Sequence, residues 1–248
     1  GRLHQHAVMA AMIESVDEGV GRLVAKLEET GQRENTVIFF FSDNGGYGPA
    51  TDMAPLHGYK GNYFEGGIRV PFFVNWPGKI QGDQKSVEPI IGVDLYPTFL
   101  ELARATRPEQ PLDGVSLVSL FRGRKKTLGP RPLYWHFPAY LQSYDVYEEQ
   151  RDPLFRTRPC SVIRLGHWKL HEYFEDGALM LYNLRDDIGE QKDLAQERPQ
   201  LVKKLHDMLR SWRKETGAIV PTAKNPQFDP QAEAKAIHAA KLKLRPAK

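Results

Sequence analysis

Apolar residues recur at steps of three and four along residues 8–30, so that Met9, Met12, Val16, Val20, Leu23 and Leu27 share one helical face. Gly31 stands where a helix C-cap would, and Arg33-Glu-Asn35 forms a short polar link. Then the period disappears. Thr36-Val-Ile-Phe-Phe-Phe41 is continuously apolar, which predicts a strand buried on both faces, the habit of parallel sheets packed between helices. Ile68–Val74 reads as a second such strand, Val93–Ala103 as a helix with Asp94 as N-cap, and Ser116–Phe121 as a short helix.

Beyond the charged, Gly- and Pro-rich loop at 122–132 the pattern becomes one of short strands. Leu133–Phe137, Ser161–Arg164, Trp168–Phe174 and Leu179–Tyr182 are separated by turn signals at Leu165-Gly-His167 and Glu175-Asp-Gly177. A helix from Pro199 to Lys214 closes this region. The expected organisation is an α/β portion over 1–125, a small α+β domain with an antiparallel sheet over 126–220, and a basic, weakly ordered tail over 221–248. Two parallel strands fall short of the roughly five of a doubly wound sheet. Further strands are therefore expected from a partner or from an N-terminal part of the domain.

Composition narrows the classes. With 41% apolar and 26% charged residues in 248, the chain can bury a core and is not a disordered protein. No apolar run approaches the roughly 20 residues of a membrane span. The net charge of +3 invites a nucleic-acid reading, but residues 231–248 alone carry +4, leaving −1 for the other 230. The body has no excess to track a phosphate backbone. A single cysteine excludes an internal disulfide and a cysteine zinc cage. The chain opens with Gly1 rather than Met, so its silence on targeting carries no weight.

The most informative stretch for chemistry is Phe41-Ser-Asp-Asn-Gly-Gly46, directly after the first strand, where ligand sites gather in α/β sheets. Asp43 and Asn44 offer hard oxygen ligands suited to Ca²⁺ or Mg²⁺, although Asp-Asn-Gly is equally a turn sequence. In Pro55-Leu-His-Gly-Tyr-Lys-Gly61, Lys60 lies between two glycines and can deliver an ammonium to sulfate or phosphate, or be a solvated loop lysine. His57 can contact substrate, carry a proton or be a surface imidazole. Glu65 and Arg69 read as partners of each other or of the backbone. His136, in a strand of the second domain, can lean over the site or be a satisfied interior histidine. Cys160-Ser-Val-Ile-Arg164 imitates a nucleophile motif but lacks its proline and lies in a strand; a buried structural thiol is the expectation.

Taken together these stretches resemble the C-terminal half of a type I, formylglycine-dependent sulfatase of the alkaline-phosphatase-like superfamily. The match is collinear, from Ala10–Asp17 through Phe41–Gly45, Lys60-Gly61, Tyr63–Pro71, Trp76–Lys79, Asp94–Thr98 and Leu112–Ser116 to Trp168-Lys-Leu170, Leu181–Leu184 and Gly189-Glu-Gln191. The resemblance implies part of an alkaline-phosphatase-like sheet flanked by helices, with the small α+β domain after it. It implies that Asp43 and Asn44 ligate Ca²⁺, with Mg²⁺ the lesser alternative, and that Lys60 contacts the sulfate. His57 stands where similar sulfatases often have arginine, which would alter substrate preference. The implied reaction is hydrolysis of a sulfuric ester, on a sulfated carbohydrate or an aryl sulfate.

The formylglycine precursor in C/S-x-P-x-R, two more aspartates and a lysine–histidine pair lie upstream in relatives, and these 248 residues are expected to be inactive alone. Two other readings stay open. One is a phosphodiesterase or phosphonate hydrolase of the same superfamily; the other is a non-catalytic remnant that binds sulfated glycans through Lys60 and the tail. Neither a nucleic acid nor a membrane is an expected partner, whereas the missing N-terminal half of the domain is. Relatives act in the periplasm, outside the cell or in lysosomes, so the resemblance implies one of those locations. The Gln142–Arg158 insert, with Tyr144, Tyr147 and Arg156, is expected to shape the pocket rim.

Overall fold

The computed structural model describes residues 6–143, 153–223 and 225–242. Tyr144 and Tyr147 lie outside them. The chain divides into two compact units: one holds Asp43–Val70 and the chain from Pro132 onward, the other His6–Ser42 and Pro71–Arg131. The expected boundary near residue 125 thus acquires a second cut, because the 43–70 excursion groups with the C-terminal portion.

In the second unit, α1 (Ala7–Glu29) follows the predicted periodicity, and its N-cap His6 accepts the Met9 N–H through Nδ1 at 3.2 Å. β1 (Ile38–Phe41) and β2 (Phe72–Asn75) pair antiparallel, with Phe41 opposite Phe72. The parallel pairing expected from the apolar run does not form between them. The chain leaves β1 and re-enters β2 at the same end, whereas a parallel pair needs a crossover to the opposite end. Nor is β1 covered on both faces: Phe40 and Phe41 are each 43% exposed. The second strand is shorter than expected because Glu65–Ile68 winds into a single turn, α2, and Pro71 has no N–H to pair.

α3 (Leu95–Ala103) and the short α4 (Val118–Phe121) complete this unit. Asp94 does not cap α3 with its side chain. Its buried carboxylate instead accepts the Ile91 and Val115 N–H groups at 2.9 and 3.0 Å and both terminal nitrogens of Arg131 at 2.8 and 2.5 Å. A carboxylate with that many donors is worth more as the hub of a loop than as a helix cap.

The other unit is built on an antiparallel sheet of β3 (Pro132–Phe137), β6 (Cys160–Leu165), β7 (Trp168–Tyr173) and β8 (Leu179–Asn183), in the order β3-β6-β7-β8. A two-stranded ribbon, β4 (Leu141–Gln142) with β5 (Phe155–Thr157), precedes β6. The helix α5 (Pro199–Thr216) begins with Pro at N1, where the missing N–H costs nothing, and ends at Gly217 with φ +66°. Its Val202, Leu205 and Leu209 pack on Ile163, Leu170 and Leu181 of the sheet, which is the core of this unit. The tail, expected to be weakly ordered, contains a further helix, α6 (Pro230–Leu242).

Along β7 the side chains alternate between the two faces of the sheet. Leu170 and Glu172 face α5, Glu172 bonding Arg213 Nη1 at 2.5 Å, while Lys169 and His171 face the opposite side. That side is not solvent. Both residues are fully buried, against the loop that carries residues 57–67.

Candidate active site

Three stretches of backbone, 43–46, 57–60 and 62–67, come together, with backbone directly on backbone at Gly45 and Gly66 and the Asn62 side chain against Gly58 and Gly67. The Gly45 N–H donates to Gly67 O at 2.9 Å, the Lys60 N–H to Gly46 O at 2.9 Å and the Gly66 N–H to His57 O at 2.7 Å. A Cβ on Gly45 would lie 1.8 Å from Gly66 O, and one on Gly66 would lie 2.1 Å from Gly58 O. The glycines are therefore required by contact, not by turn chemistry alone. Lys60 is bracketed by Gly58 and Gly61 at φ +74° and +98°, where a side chain would strain the backbone. The result fastens the Asp43-Asn44 pair to the strand of loop that presents Lys60.

Asp43 and Lys60 are exposed and Asn44 is half-buried. The two neighbouring side chains offer one carboxylate and one carboxamide oxygen, a donor set that fits a hard cation in part. No group of three or more His, Cys, Asp or Glu able to hold a metal occurs among the described residues. The pair would thus supply two oxygens and leave the remaining ligands to other polypeptide or water.

His57 is anchored to the inner side of the loop. Its ring stacks on Phe64 at 4.0 Å with an interplanar angle of 2°, and Phe64 in turn stacks on His171 at 4.8 Å. Its Nδ1 lies 3.4 Å from the Glu190 carbonyl, an oxygen that can only accept. His136 is brought to neither loop by its ring nitrogens. Nε2 donates to Ile219 O at 2.9 Å, so in the neutral ring Nδ1 accepts from Ser161 Oγ at 2.8 Å. Both ring nitrogens are thus engaged within this unit. Cys160 is buried in β6, 3.6 Å from Thr157 Oγ1, as a structural thiol.

What sequence reasoning missed lies under the loop. Glu65 pairs with Arg69 as expected, at 3.4 Å, but its closer partner is Lys169 Nζ at 3.0 Å. Lys169 Nζ also meets Glu190 Oε1 at 3.0 Å, and Glu190 Oε2 accepts the Glu65 N–H at 2.5 Å. Burial alone would raise the Glu190 pKa; the Lys169 ammonium, the His171 ring and the Glu65 N–H together outweigh it and hold the carboxyl down at about 2. Burial pushes the His171 pKa below its usual value, so the ring is neutral and gives its Nε2 proton toward Glu190 Oε1, 3.4 Å away. The available signal was a lysine and a histidine alternating on the middle strand of a sheet, together with Gly189-Glu190. Without knowing that a loop covers that face, such alternation reads as solvent-facing.

Comparisons with known proteins identify the family. The sulfatase family profile matches residues 2–105, and the profile of the N-sulphoglucosamine sulphohydrolase C-terminal region matches residues 57–215. A sulfatase of Formosa agariphila is 36% identical over 232 residues, covering 84% of this chain and 40% of that protein. Mouse steryl-sulfatase is 34% identical over 218 residues, covering 77% of this chain and 34% of that protein. The crystal structure of Ps i-CgsB with k-i-k-neocarrahexaose superposes with a TM-score of 0.70 at 26% identity, covering 98% of this chain and 49% of that one. The chain therefore spans less than half the length of these relatives. The family works with a metal ion and a formylglycine, and its α/β architecture with antiparallel sheets is the one described above. The chain belongs to the sulfatase family.

Proposed function

We propose that these residues form the metal- and sulfate-contacting part of a sulfuric ester hydrolase acting on a sulfated carbohydrate or an aryl sulfate. The observation that carries this reading is the close backbone packing of 43–46 on 57–67, which ties the Asp43-Asn44 oxygens to Lys60. Asp43 and Asn44 would hold Ca²⁺, whose charge, when bound, assists the ester's departure by polarising its oxygens. Lys60 neutralises charge on the sulfuryl group, and His57 stands at the inner edge of the same loop. The nucleophile and the other metal ligands come from polypeptide outside these residues. Several large apolar side chains of α1, β1 and β2 are exposed and offer that polypeptide a surface. The carbohydrate reading draws on the neocarrahexaose complex of Ps i-CgsB, and the sulfuric-ester reading on the named sulfatases.

In the complete enzyme, Lys60→Ala should lower kcat/KM for an aryl sulfate by about 10²–10³-fold, the usual worth of one preorganised charge donor. Asp43→Ala should abolish the rise in Tm produced by Ca²⁺. An unchanged Ca²⁺ shift removes Asp43 from the metal site, and unchanged turnover removes Lys60 from the sulfate site.

A further inference from the structure

Glu190 is placed where its identity is not explained by the fold around it. Its φ of +49° is left-handed, a conformation that glycine or asparagine adopts at less strain than glutamate. A turn alone would not call for this residue. Its side chain and its main chain both reach the loop that carries Lys60. The carboxylate accepts the N–H of Glu65, five residues after Lys60, at 2.5 Å, and Phe64 gives that turn no cap of its own. The carbonyl faces His57 Nδ1, three residues before Lys60, at 3.4 Å. The preceding Gly189 lies so close that a Cβ there would sit 2.8 Å from Pro55 O. Behind the carboxylate, Lys169 Nζ at 3.0 Å holds it in one orientation, and the whole group is only 2% exposed.

We propose that Glu190 is a positioning residue, gripping the Lys60 loop on both sides of the lysine and so fixing where the ammonium stands. It touches no substrate, and acts through Lys60. The inference rests on the reading of Lys60 as the sulfate contact, and two experiments separate them.

The first is amide hydrogen exchange on the 248-residue chain without any ligand. Glu190→Ala should speed exchange at the amides of Lys60, Asn62, Gly66 and Gly67 by about ten-fold or more, while β7, β8 and α5 keep their protection. Glu190→Gln retains an acceptor for the Glu65 N–H and should restore most of the loss. If the sheet and α5 open together with the loop in both variants, or if the loop is unaffected in Glu190→Ala, the proposal is wrong. Should Glu190→Ala fail to fold, Glu190→Asp decides. Aspartate keeps a negative charge near Lys169 but withdraws the oxygen from the Glu65 N–H, so the loop must exchange faster ahead of the sheet; unchanged loop exchange overturns the proposal.

The second is a double-mutant cycle in the complete enzyme with 4-nitrocatechol sulfate as probe. A residue acting through Lys60 should add little to the loss already caused by Lys60→Ala, and full additivity overturns the proposal. If Lys60→Ala itself changes nothing, the sulfate reading fails while hydrogen exchange still decides whether Glu190 holds the loop.

Discussion

Helices α1 and α5 are both amphipathic, yet they end in opposite circumstances. On α5, Val202, Leu205 and Leu209 are at most 9% exposed because a four-stranded sheet lies beneath them. On α1 no residue is buried, and Met12, Ile13, Val16 and Leu23 are 52–67% exposed. Periodicity reports that a helix has a face to cover; it does not report that the cover is in the same chain. The strands repeat the lesson. β6 and β7 are filled on both faces, whereas β1 and β2 leave Phe40, Phe41 and Phe73 open.

The largest effect that would break this contrast is a core truncation. Leu209→Ala, at a fully buried position against the sheet, should cost about 2–5 kcal/mol, whereas Val16→Ala on α1 should stay within about 0.5 kcal/mol. Urea unfolding followed by amide exchange in β7 and α1 measures both. Comparable losses at the two positions would mean that α1 is packed in solution.

A second effect sharpens the contrast on the polar side. Glu190 is held at about pKa 2 against an ordinary 4.5. A depressed carboxyl contributes stability that is complete above pH 4.5 and is lost as pH falls through about 2, on the order of 3 kcal/mol. The groups facing it are Lys169, His171 and, through its N–H, Glu65. His171, depressed by burial, works in the same direction from an earlier point: the unfolded ring takes a proton below pH 6.5 and the folded ring does not. Glu190→Gln should therefore flatten the part of the acid limb below pH 4.5 and leave the part near pH 6 in place. An acid limb identical to wild type would detach Glu190 from the stability of this unit.

The fold was legible where one element supplied its own evidence. The periodicity of α1, the turn signals between β6, β7 and β8, and Pro199 at the start of α5 each found their counterpart in the structure. What failed needed a partner to be known. The sense of the β1–β2 pair depends on where the 43–70 excursion returns, and a continuous apolar run carries no direction. Nothing local in the sequence says that residues 57–67 lie over the strand face of Lys169 and His171. Of the candidate site, Asp43, Asn44 and Lys60 were proposed from residue type and order, while Glu65 lies 104 and 125 residues from Lys169 and Glu190, and nothing local says that they meet.

The smallest expected effects come from one substitution made in both regions. At Gly19, inside α1, a Cβ meets nothing within 4 Å. Alanine there keeps the helical backbone, narrows the unfolded ensemble and should stabilise the helix by about 0.5–1 kcal/mol. At Gly66 the same methyl would stand 2.1 Å from Gly58 O and 2.5 Å from His57 O, both backbone atoms that no rotamer can move aside. The loop must shift, at about 1–3 kcal/mol, and the Gly66 N–H to His57 O bond at 2.7 Å is the first to lengthen. The pair is informative because the chemistry of the change is identical and its sign is set by surroundings alone. Thermal unfolding with exchange at the Gly66 and Lys60 amides reads both. If Gly66→Ala is tolerated with those amides still protected, the close backbone packing that joins Lys60 to Asp43 is not what holds the site together.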